Sequence, residues 1–389
     1  MAEMDFSQLP LDGVRVLDLS RIIAGPMATG ILADFGADVI KIEEPSFGDP
    51  SRAYVAEGDE GAVSPVFEQL NRNKRSICVN LKDEAGIDVL YQLIRSADVL
   101  IHNYRPGVAE RLGFSYGEVA KVNPALVYCA ISGAGEVGPL RTYAANDVIT
   151  QAYSGVMSFT GERDGSPVRC GPPIADMTAG LYAAIAVMIG LFQRAATKLG
   201  CEVRTSLLEG QLSFVAPSIL EYMRTGFVPQ PMGSETRVGL PNGAFPTVDG
   251  HVVLAAVDER VWARLCAALG IPETATDSRF KDLSARRANR EALFEVVAGR
   301  TRNMSMQICL EQLSAAGVPC APINTIADVV ESAQVAALGI LADKDCGGGD
   351  LRVPLVLNPI TVAGRRPGVR SGAPMLGQNE QEVIAELER

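Results

Sequence analysis

The stretch GVRVLDLSRIIAGPMATGILADFGADVIKIE, residues 13–43, decides the fold. GVRVLDLS (13–20) is a short apolar run, which reads as a buried strand. GPMATGILADFG (25–36) reads as a helix, with Pro26 suited to its first turn and Gly36 to its exit. ADVIKIE (37–43) is the next strand. The alternation continues outward through SICVNL (76–81), a helix over 83–95, DVLIHN (98–103), helical turns to about 122, and LVYCAIS (126–132). Short apolar strands alternating with helices predict a parallel sheet covered on both faces, the Rossmann-like half of an α/β protein. No G-x-G-x-x-G follows the first strand, where the chain reads SRIIAGP, so a dinucleotide fingerprint is absent. The cluster SGAGEVGP (132–139) alone is more often a turn than a phosphate cradle.

Helices dominate the middle of the chain: NDVITQAYSGVMSF (146–159), a long helix after Asp176, and SLLEGQLSFVAPSILEYM (206–223). GFVPQPMGSETRVGLPNG (226–243) is the strongest linker. Beyond it, AFPTVDGHVVLAAV (244–257) reads as a hairpin turning at Asp249-Gly250. Helices near 259–270, 284–300 and 304–316 and a strand VPCAPI (318–323) complete a smaller α/β unit. The expected organisation is a large domain over 1–225, a linker and small domain over 226–330, and a return segment over 331–389 packing on the large domain. No internal repeat or low-complexity tract is seen.

Composition narrows the function. The chain has 389 residues, 47% hydrophobic and 21% charged, enough for two domains with a sizeable core. Its net charge of −11 and pI near 4.9 argue against nucleic acid or an anionic membrane as partner, though not against a small polyanion held by a few local cations. The eight cysteines are scattered without a C-x-x-C pair, so they predict reduced cytosolic thiols and neither a zinc nor a redox site. The opening MAEMDFSQLPLDG lacks an apolar run and predicts no secretory signal. MTAGLYAAIAVMIGLF (177–192) has 16 uncharged residues, short of the ~20 that span a bilayer, and predicts a buried core helix. With only His102 and His251, most histidine catalysis and metal chemistry is excluded, and both are expected to be structural. Trp262 is expected in the core of the small domain.

In GPPIADMTAG (171–180), one carboxylate, Asp176, opens the long apolar helix. As a helix cap it would accept backbone N–H bonds, with the helix dipole favouring its ionised form. As a nucleophile it would attack an activated carbonyl. The two readings are compatible.

LDGVRVLDLSRIIAGPMATGILADFGADVIKIEEPSFGDP (11–50) resembles the opening of the class III CoA-transferases, the superfamily of formyl-CoA transferase, carnitine CoA-transferase and α-methylacyl-CoA racemase. NRNKRSICVNLK (71–82), HNYRPGVAERLGF (102–114), NDVITQAYSG (146–155), GVPCAPINTIADVV (317–330) and LGQNEQEVIAEL (376–387) extend the resemblance over nearly the whole chain, in one order. It implies a Rossmann-like large domain with a smaller α/β domain, in a homodimer whose subunits thread as interlocked rings. It also implies Asp176 as nucleophile, and a CoA thioester as substrate with no tightly bound cofactor; acyl-CoA and a small carboxylic acid would be the partners.

Lys74, Arg75, Lys82, Arg105 and Arg111 are the candidate cations for CoA phosphates. By the resemblance, Val79, Lys82, Asn103, Tyr104 and Arg111 fall at CoA contacts of the formyl-CoA enzyme. Backbone at Ala24–Gly25 and at 132–135 is the candidate source of oxyanion donors. The chain also departs from that enzyme. Arg21 and Ile23 replace a His and a Gln, Glu44 replaces an Arg, and neither the glycine-rich lid nor the T-G-R-G-Q block has a clear counterpart. Arg21 is a candidate for binding a second carboxylate, which makes dicarboxylic or hydroxy acids the expected acceptors. In the racemase branch a His precedes the aspartate of the block at 146–155 and a Glu serves from the small domain. Here those positions hold Asn146 and Asp258, and an amide cannot act as a general base. Asn146 is therefore read as structural, and Asp147 as an orienting or capping residue. A CoA-transferase is the leading reading; an acyl-CoA racemase or intramolecular CoA isomerase, and a non-catalytic CoA-binding protein, are the alternatives.

Overall fold

The computed structural model describes residues 9–55, 64–342 and 353–388, so Cys346 and the first eight residues fall outside it. The chain divides into two compact units, one built from 1–157, 169–227 and 336–389, the other from 158–168 and 228–335. The sequence did not assign 158–168 to the second unit.

The first unit holds a six-stranded sheet: β1 (Arg15–Asp18), β2 (Asp38–Glu43), β3 (Lys74–Cys78), β4 (Val99–His102), β5 (Val127–Ser132) and β6 (Glu202–Ser206). The order is β3-β2-β1-β4-β5-β6 and every pairing is parallel. The chain therefore crosses the sheet between β3 and β4, and the ends of β1 and β4 flank a topological switch point, where open α/β sheets place their ligands. The sixth strand, EVRTS, was not foreseen from sequence. Its helices are α1 (Ala24–Asp34), α2 (Pro65–Asn71), α3 (Glu84–Ser96), α4 (Val108–Leu112), α5 (Tyr116–Val122), α6 (Asp147–Tyr153), α7 (Ile174–Thr197), α8 (Leu207–Phe214) and α9 (Ala216–Thr225).

Strand residues alternate between two cores, as a doubly covered sheet requires. Val16, Val39, Val99, Val127 and Cys129 pack with Ala28 of α1 and Ala179 and Ala183 of α7. Leu17, Ile40, Leu100 and Tyr128 pack with Leu90 and Leu93 of α3 and Val383 near the C-terminus. Small residues let α7 lie tightly against α1: a Cβ on Gly180 would stand 2.7 Å from the Ala24 carbonyl oxygen. Only one side of α7 is buried this way. Ile185, Ile189 and Phe192 are exposed along the other, so the expectation of a buried core helix holds for one face. At 24 residues, with half of its most apolar window buried, α7 is by length and composition long and apolar enough to cross a membrane.

Two predicted helices of this unit are shorter than their apolar pattern. The one at 146–159 ends as α6 at Tyr153 and gives way to a tight helical turn over Val156–Phe159. The one at 206–223 breaks at Val215, because Pro217 can begin a helix but not continue one.

The second unit contains β7 (Asn242–Thr247), β8 (Gly250–Ala255) and β9 (Cys320–Pro322) in one antiparallel sheet. Thr247 pairs with Gly250, so the hairpin loop is Val248-Asp249, one residue earlier than the sequence suggested. Its helices are α10 (Glu259–Ala268), α11 (Leu283–Ala288), α12 (Arg290–Thr301), α13 (Met306–Ala315) and α14 (Ile326–Glu331). The helix expected over 284–300 thus breaks at Asn289. Trp262 is buried in this core beside Phe280, as expected, and Arg286 is buried across its ring with Glu259 as counter-charge. His251 is an exposed strand residue, and Asp258 caps α10 by accepting the Val261 N–H at 2.9 Å.

After α15 (Ala333–Leu338), the chain forms the antiparallel pair β10 (Leu341–Ala342) and β11 (Leu355–Val356) and ends in α16 (Glu380–Leu387). Glu382 and Glu386 of α16 bind Arg75 of β3, which ties this segment to the first unit.

Candidate active site

An open cavity of about 470 Å³ lies in the first unit at the switch point. Its walls come from the turn after β1 (Arg21, Ile22, Ile23), from the end of β4 (Asn103, Tyr104, Arg105), from the end of β5 (Ser132, Gly133), from Asn146 and Asp147 of the α6 start, and from Arg169, Pro173 and Asp176 at the α7 start. The fold thus brings Asp176, Arg21, Asn103, Tyr104 and Arg105 together from positions up to 155 residues apart.

The turn after β1 is held in an unusual conformation. Ile22 has φ 72°, a region that a β-branched residue adopts only under constraint. The constraints are visible. Asn103 pairs with both main-chain groups of Arg21, and Asp49 accepts the Ile22 N–H at 3.1 Å. Asp49 is itself paired with the buried Lys41. Gly25 is required beneath this turn, since a Cβ there would lie 2.1 Å from the Ser20 Cβ. The Arg21 guanidinium lies 5.2 Å from the centre of the Tyr104 ring and 3.4 Å from its hydroxyl, and has no carboxylate partner among the described residues. Such an arginine keeps most of its forked donors for a ligand.

Asp176 is the third residue of α7 and not its cap. It is half-buried, and its carboxyl makes no hydrogen bond among the described residues. Burial, followed by the charge of Asp147, pushes its pKa up to about 7, so the shift runs opposite to the stabilisation of the ionised form expected of a cap. The capping role falls to Asp147, which accepts the Ala175 N–H at 2.7 Å from α6. Asn146 accepts the Ile149 N–H and caps α6, the structural role expected of it.

The candidate CoA ligands separate into two groups. Lys74 is a correction: its ammonium is fully buried and bound to Asp18 at 3.0 Å, Thr29, Asn71 and the Pro26 carbonyl, with no donor left for a phosphate. Burial lowers its pKa to about 8, against the pull of Asp18. Asp18 is held well below the ordinary carboxylate range, because Lys74 and Lys41 outweigh the effect of its burial. Arg75 is likewise committed, to Asp38 and Glu386. Ala24 is buried under the turn, and Val79 is a buried residue just past β3; neither lines the cavity. Gly135 spends its N–H on the Ser132 hydroxyl, which removes one of the expected oxyanion donors. Lys82, Arg105 and Arg111, by contrast, are exposed and have no ion-pair partner among the described residues. Glu44 accepts the N–H groups of Ser46 and Phe47, a local turn.

His102 is buried and neutral, its pKa lowered to about 4 by desolvation. Its Nδ1 accepts the Tyr104 N–H, so Nε2 carries the proton and donates to the Tyr128 hydroxyl at 2.8 Å. It orders the β4 end and is no general base. Arg169, Tyr54 and Tyr143, which also line the cavity, lie in no recognisable pattern, whereas Gln151 lies within the block NDVITQAYSG but carries no signal of its own there. Among the described residues no cluster could hold a metal ion, and no two cysteines are bonded.

A Rossmann-type sheet with a carboxylate nucleophile candidate and unspent cations around one cavity defines a class of acyl-transfer enzymes acting on anionic substrates. The chain belongs to CoA-transferase family III, whose pattern matches residues 11–380, and it is a CoA-transferase. It is 34% identical over 397 residues to the succinate–glutarate CoA-transferase of Agrobacterium fabrum, covering 100% of this chain and 98% of that one. It is 37% identical over 372 residues to the acetyl-CoA:oxalate CoA-transferase of Acetobacter aceti, covering 95% and 93%. The fold matches the crystal structure of a CaiB/BaiF family protein from Brucella suis with a TM-score of 0.86 and 34% identity, over 98% of this chain and 100% of that one.

Proposed function

We propose that Asp176 is the nucleophile of the CoA transfer and that the acceptor is a dicarboxylic acid whose far carboxylate is held by Arg21. The observation that carries this is the pairing, in one cavity, of a carboxyl group that makes no hydrogen bond and a guanidinium that has no counter-charge among the described residues. The names of the relatives above, succinate–glutarate and acetyl-CoA:oxalate transferases, support a dicarboxylate.

In the proposed sequence an Asp176 carboxylate oxygen attacks the thioester carbonyl of the donor. The carbon–sulfur bond breaks, CoA thiolate leaves, and an aspartyl mixed anhydride remains. The thiolate then attacks the Asp176 carbonyl carbon, releasing the donor acid and leaving an aspartyl-CoA thioester. The acceptor carboxylate attacks that thioester and expels the thiolate again, and the thiolate takes the acyl group of the new anhydride. Acceptor-CoA departs and Asp176 is free. Covalent catalysis divides the transfer into exchanges between activated acyl groups. Lys82, Arg105 and Arg111 are the cations left for the CoA phosphates.

A homodimer belongs to the same reading: the exposed face of α7, with Phe192 82% exposed, is supported as a subunit interface by its length and apolar character. Interlocked rings, a cytosolic location, and the absence of nucleic-acid and membrane partners complete it, in keeping with a net charge of −11.

The test is covalent trapping. The protein is incubated with succinyl-CoA, oxalyl-CoA or acetyl-CoA, quenched with hydroxylamine or borohydride, and mapped by mass spectrometry. A mark on Asp176 that disappears in Asp176→Ala supports the nucleophile. Deuterium uptake at an α-carbon without a mark points to the racemase, and CoA binding with neither points to a non-catalytic protein. Arg21→Ala should raise the KM for glutarate at least tenfold and leave that for a monocarboxylate unchanged; an unchanged glutarate KM removes Arg21 from the reading.

A further inference from the structure

The nucleophile candidate is aimed by a helix start that does not cap itself. Pro173 precedes α7 and offers no side-chain acceptor, so the first N–H groups of the helix need partners from elsewhere. The partner of Ala175 is Asp147, 28 positions earlier, whose Oδ1 accepts at 2.7 Å. The other oxygen of the same carboxylate, Oδ2, accepts from Gln151 Nε2 at 2.7 Å. Gln151 uses its own carbonyl oxygen to accept the Cys170 N–H at 2.8 Å. Asp147 is 8% exposed and Gln151 is fully buried. Two side chains of α6 therefore hold both ends of the strap 170–175, immediately before Asp176.

The residue types are dictated by donor and acceptor counting. Asp147 faces two donors at once and needs two acceptor oxygens, which a carboxylate has and an amide lacks. Gln151 faces one donor and one acceptor and needs an amide. The arrangement places a negative charge beside the nucleophile, an unfavourable choice unless the two acceptors are needed.

We propose that Asp147 is a positioning residue for Asp176, fixing through Ala175 and, by way of Gln151, through Cys170 the helix start that presents the nucleophile. This rests on the reading of Asp176 as nucleophile.

The donor–acceptor logic supplies its own test. Asp147→Asn offers one acceptor where two are needed, and its amide meets the Gln151 amide donor-to-donor. The double variant Asp147→Asn/Gln151→Glu restores every bond: the asparagine oxygen accepts from Ala175, its amide donates to the new carboxylate, and that carboxylate accepts from Cys170. It also moves the charge from position 147, which acts on Asp176, to position 151. Turnover of succinyl-CoA with glutarate is measured across pH 5–9 for wild type, both variants and Asp176→Asn. Asp147→Asn should lose kcat on the order of 10- to 100-fold, the scale of small misplacements of reacting groups, with the KM for succinyl-CoA within about twofold. The double variant should recover at least tenfold of that loss at the pH plateau. The charged groups around Asp176 are Asp147 from α6 and Arg21, Arg105 and Arg169 from the cavity walls. With Asp147 neutralised, the midpoint of the kcat profile should move to lower pH in both variants, a change that loss of folded protein does not produce.

A double variant no more active than Asp147→Asn, or Asp147→Asn with wild-type kcat, overturns the proposal. If Asp147→Asn does not fold, the double variant decides alone: folded and active supports it, folded and inactive overturns it. Asp176→Asn separates the two readings. If it is inactive while Asp147→Asn is normal, only the positioning role falls; if it turns over normally, both fall.

Discussion

Asn103 holds Arg21 by both of its main-chain groups, accepting the Arg21 N–H at 2.9 Å and donating to the Arg21 carbonyl at 2.8 Å. This is a side-chain imitation of strand pairing across the switch point, from the end of β4 to the end of β1. It sustains the strained Ile22 and sets the guanidinium over Tyr104. Asn103→Ala should cost about 1–3 kcal/mol, the sum of two partly buried hydrogen bonds. It should also lower kcat/KM for a dicarboxylate by about tenfold. Asn103→Asp keeps the acceptor and loses the donor, so it should fall between. Thermal melting and steady-state kinetics check both, and a variant with unchanged kcat/KM removes the turn from substrate binding.

The buried pair Lys74–Asp18 gives a prediction opposite to its sequence reading. Lys74→Met leaves Asp18 without its nearest counter-charge, and breaking one side of a buried pair costs about 3–5 kcal/mol. The Tm should drop sharply, while the KM for the CoA thioester in the protein that still folds should stay within about twofold. Lys82→Ala and Arg111→Ala should do the reverse, raising that KM several-fold with Tm nearly unchanged, because surface charges contribute little to stability. A large KM effect for Lys74→Met with an intact Tm contradicts the structural role.

Gly25→Ala tests the floor of the same turn. Its Cβ would overlap Ser20, whose hydroxyl donates to Asp18 and whose carbonyl accepts from Lys41. Backbone must move, so the variant should be destabilised by about 1–3 kcal/mol or more and lose most of its activity. A wild-type melting curve from folded Gly25→Ala contradicts the packing described.

The Rossmann half was legible because short apolar stretches recur in its first five strands between helices, and the site was legible in outline because strand ends at a switch point are where ligands bind. What failed was whatever depended on distant partners. Glu202–Ser206 carries only polar, charged and one apolar residue at the sheet edge, so no apolar run announces it. Lys74 and Arg75 are written like solvated charges, and only the fold brings Asp18 and Glu386 to them. The cap half of the Asp176 reading fails because aspartate at a helix start is a common cap, but here it is the third residue of α7. The true acceptor, Asp147, comes from another helix. Arg169 enters the cavity from an irregular stretch with no periodicity to read.

The raised pKa of Asp176 makes stability depend on pH in a direction opposite to most carboxylates. The folded chain holds this proton to about 7, against an ordinary value of 3.8, so it binds more protons than the unfolded chain between those limits. Stability therefore falls as pH rises from about 4 to 7, and the full deficit persists above 7. Asp176→Asn removes it. The carboxyl faces an open cavity and solvent screens part of the effect, so the variant should be more stable than wild type by about 1–2 kcal/mol at pH 8, or ~1–3 °C in Tm. The two proteins should melt alike near pH 4. Over the same range wild-type kcat should climb toward a plateau above pH 7 as the attacking carboxylate forms, and Asp176→Asn should show no transfer at any pH. A Tm difference that stays constant from pH 4 to pH 8 would show that Asp176 titrates as an ordinary surface carboxylate.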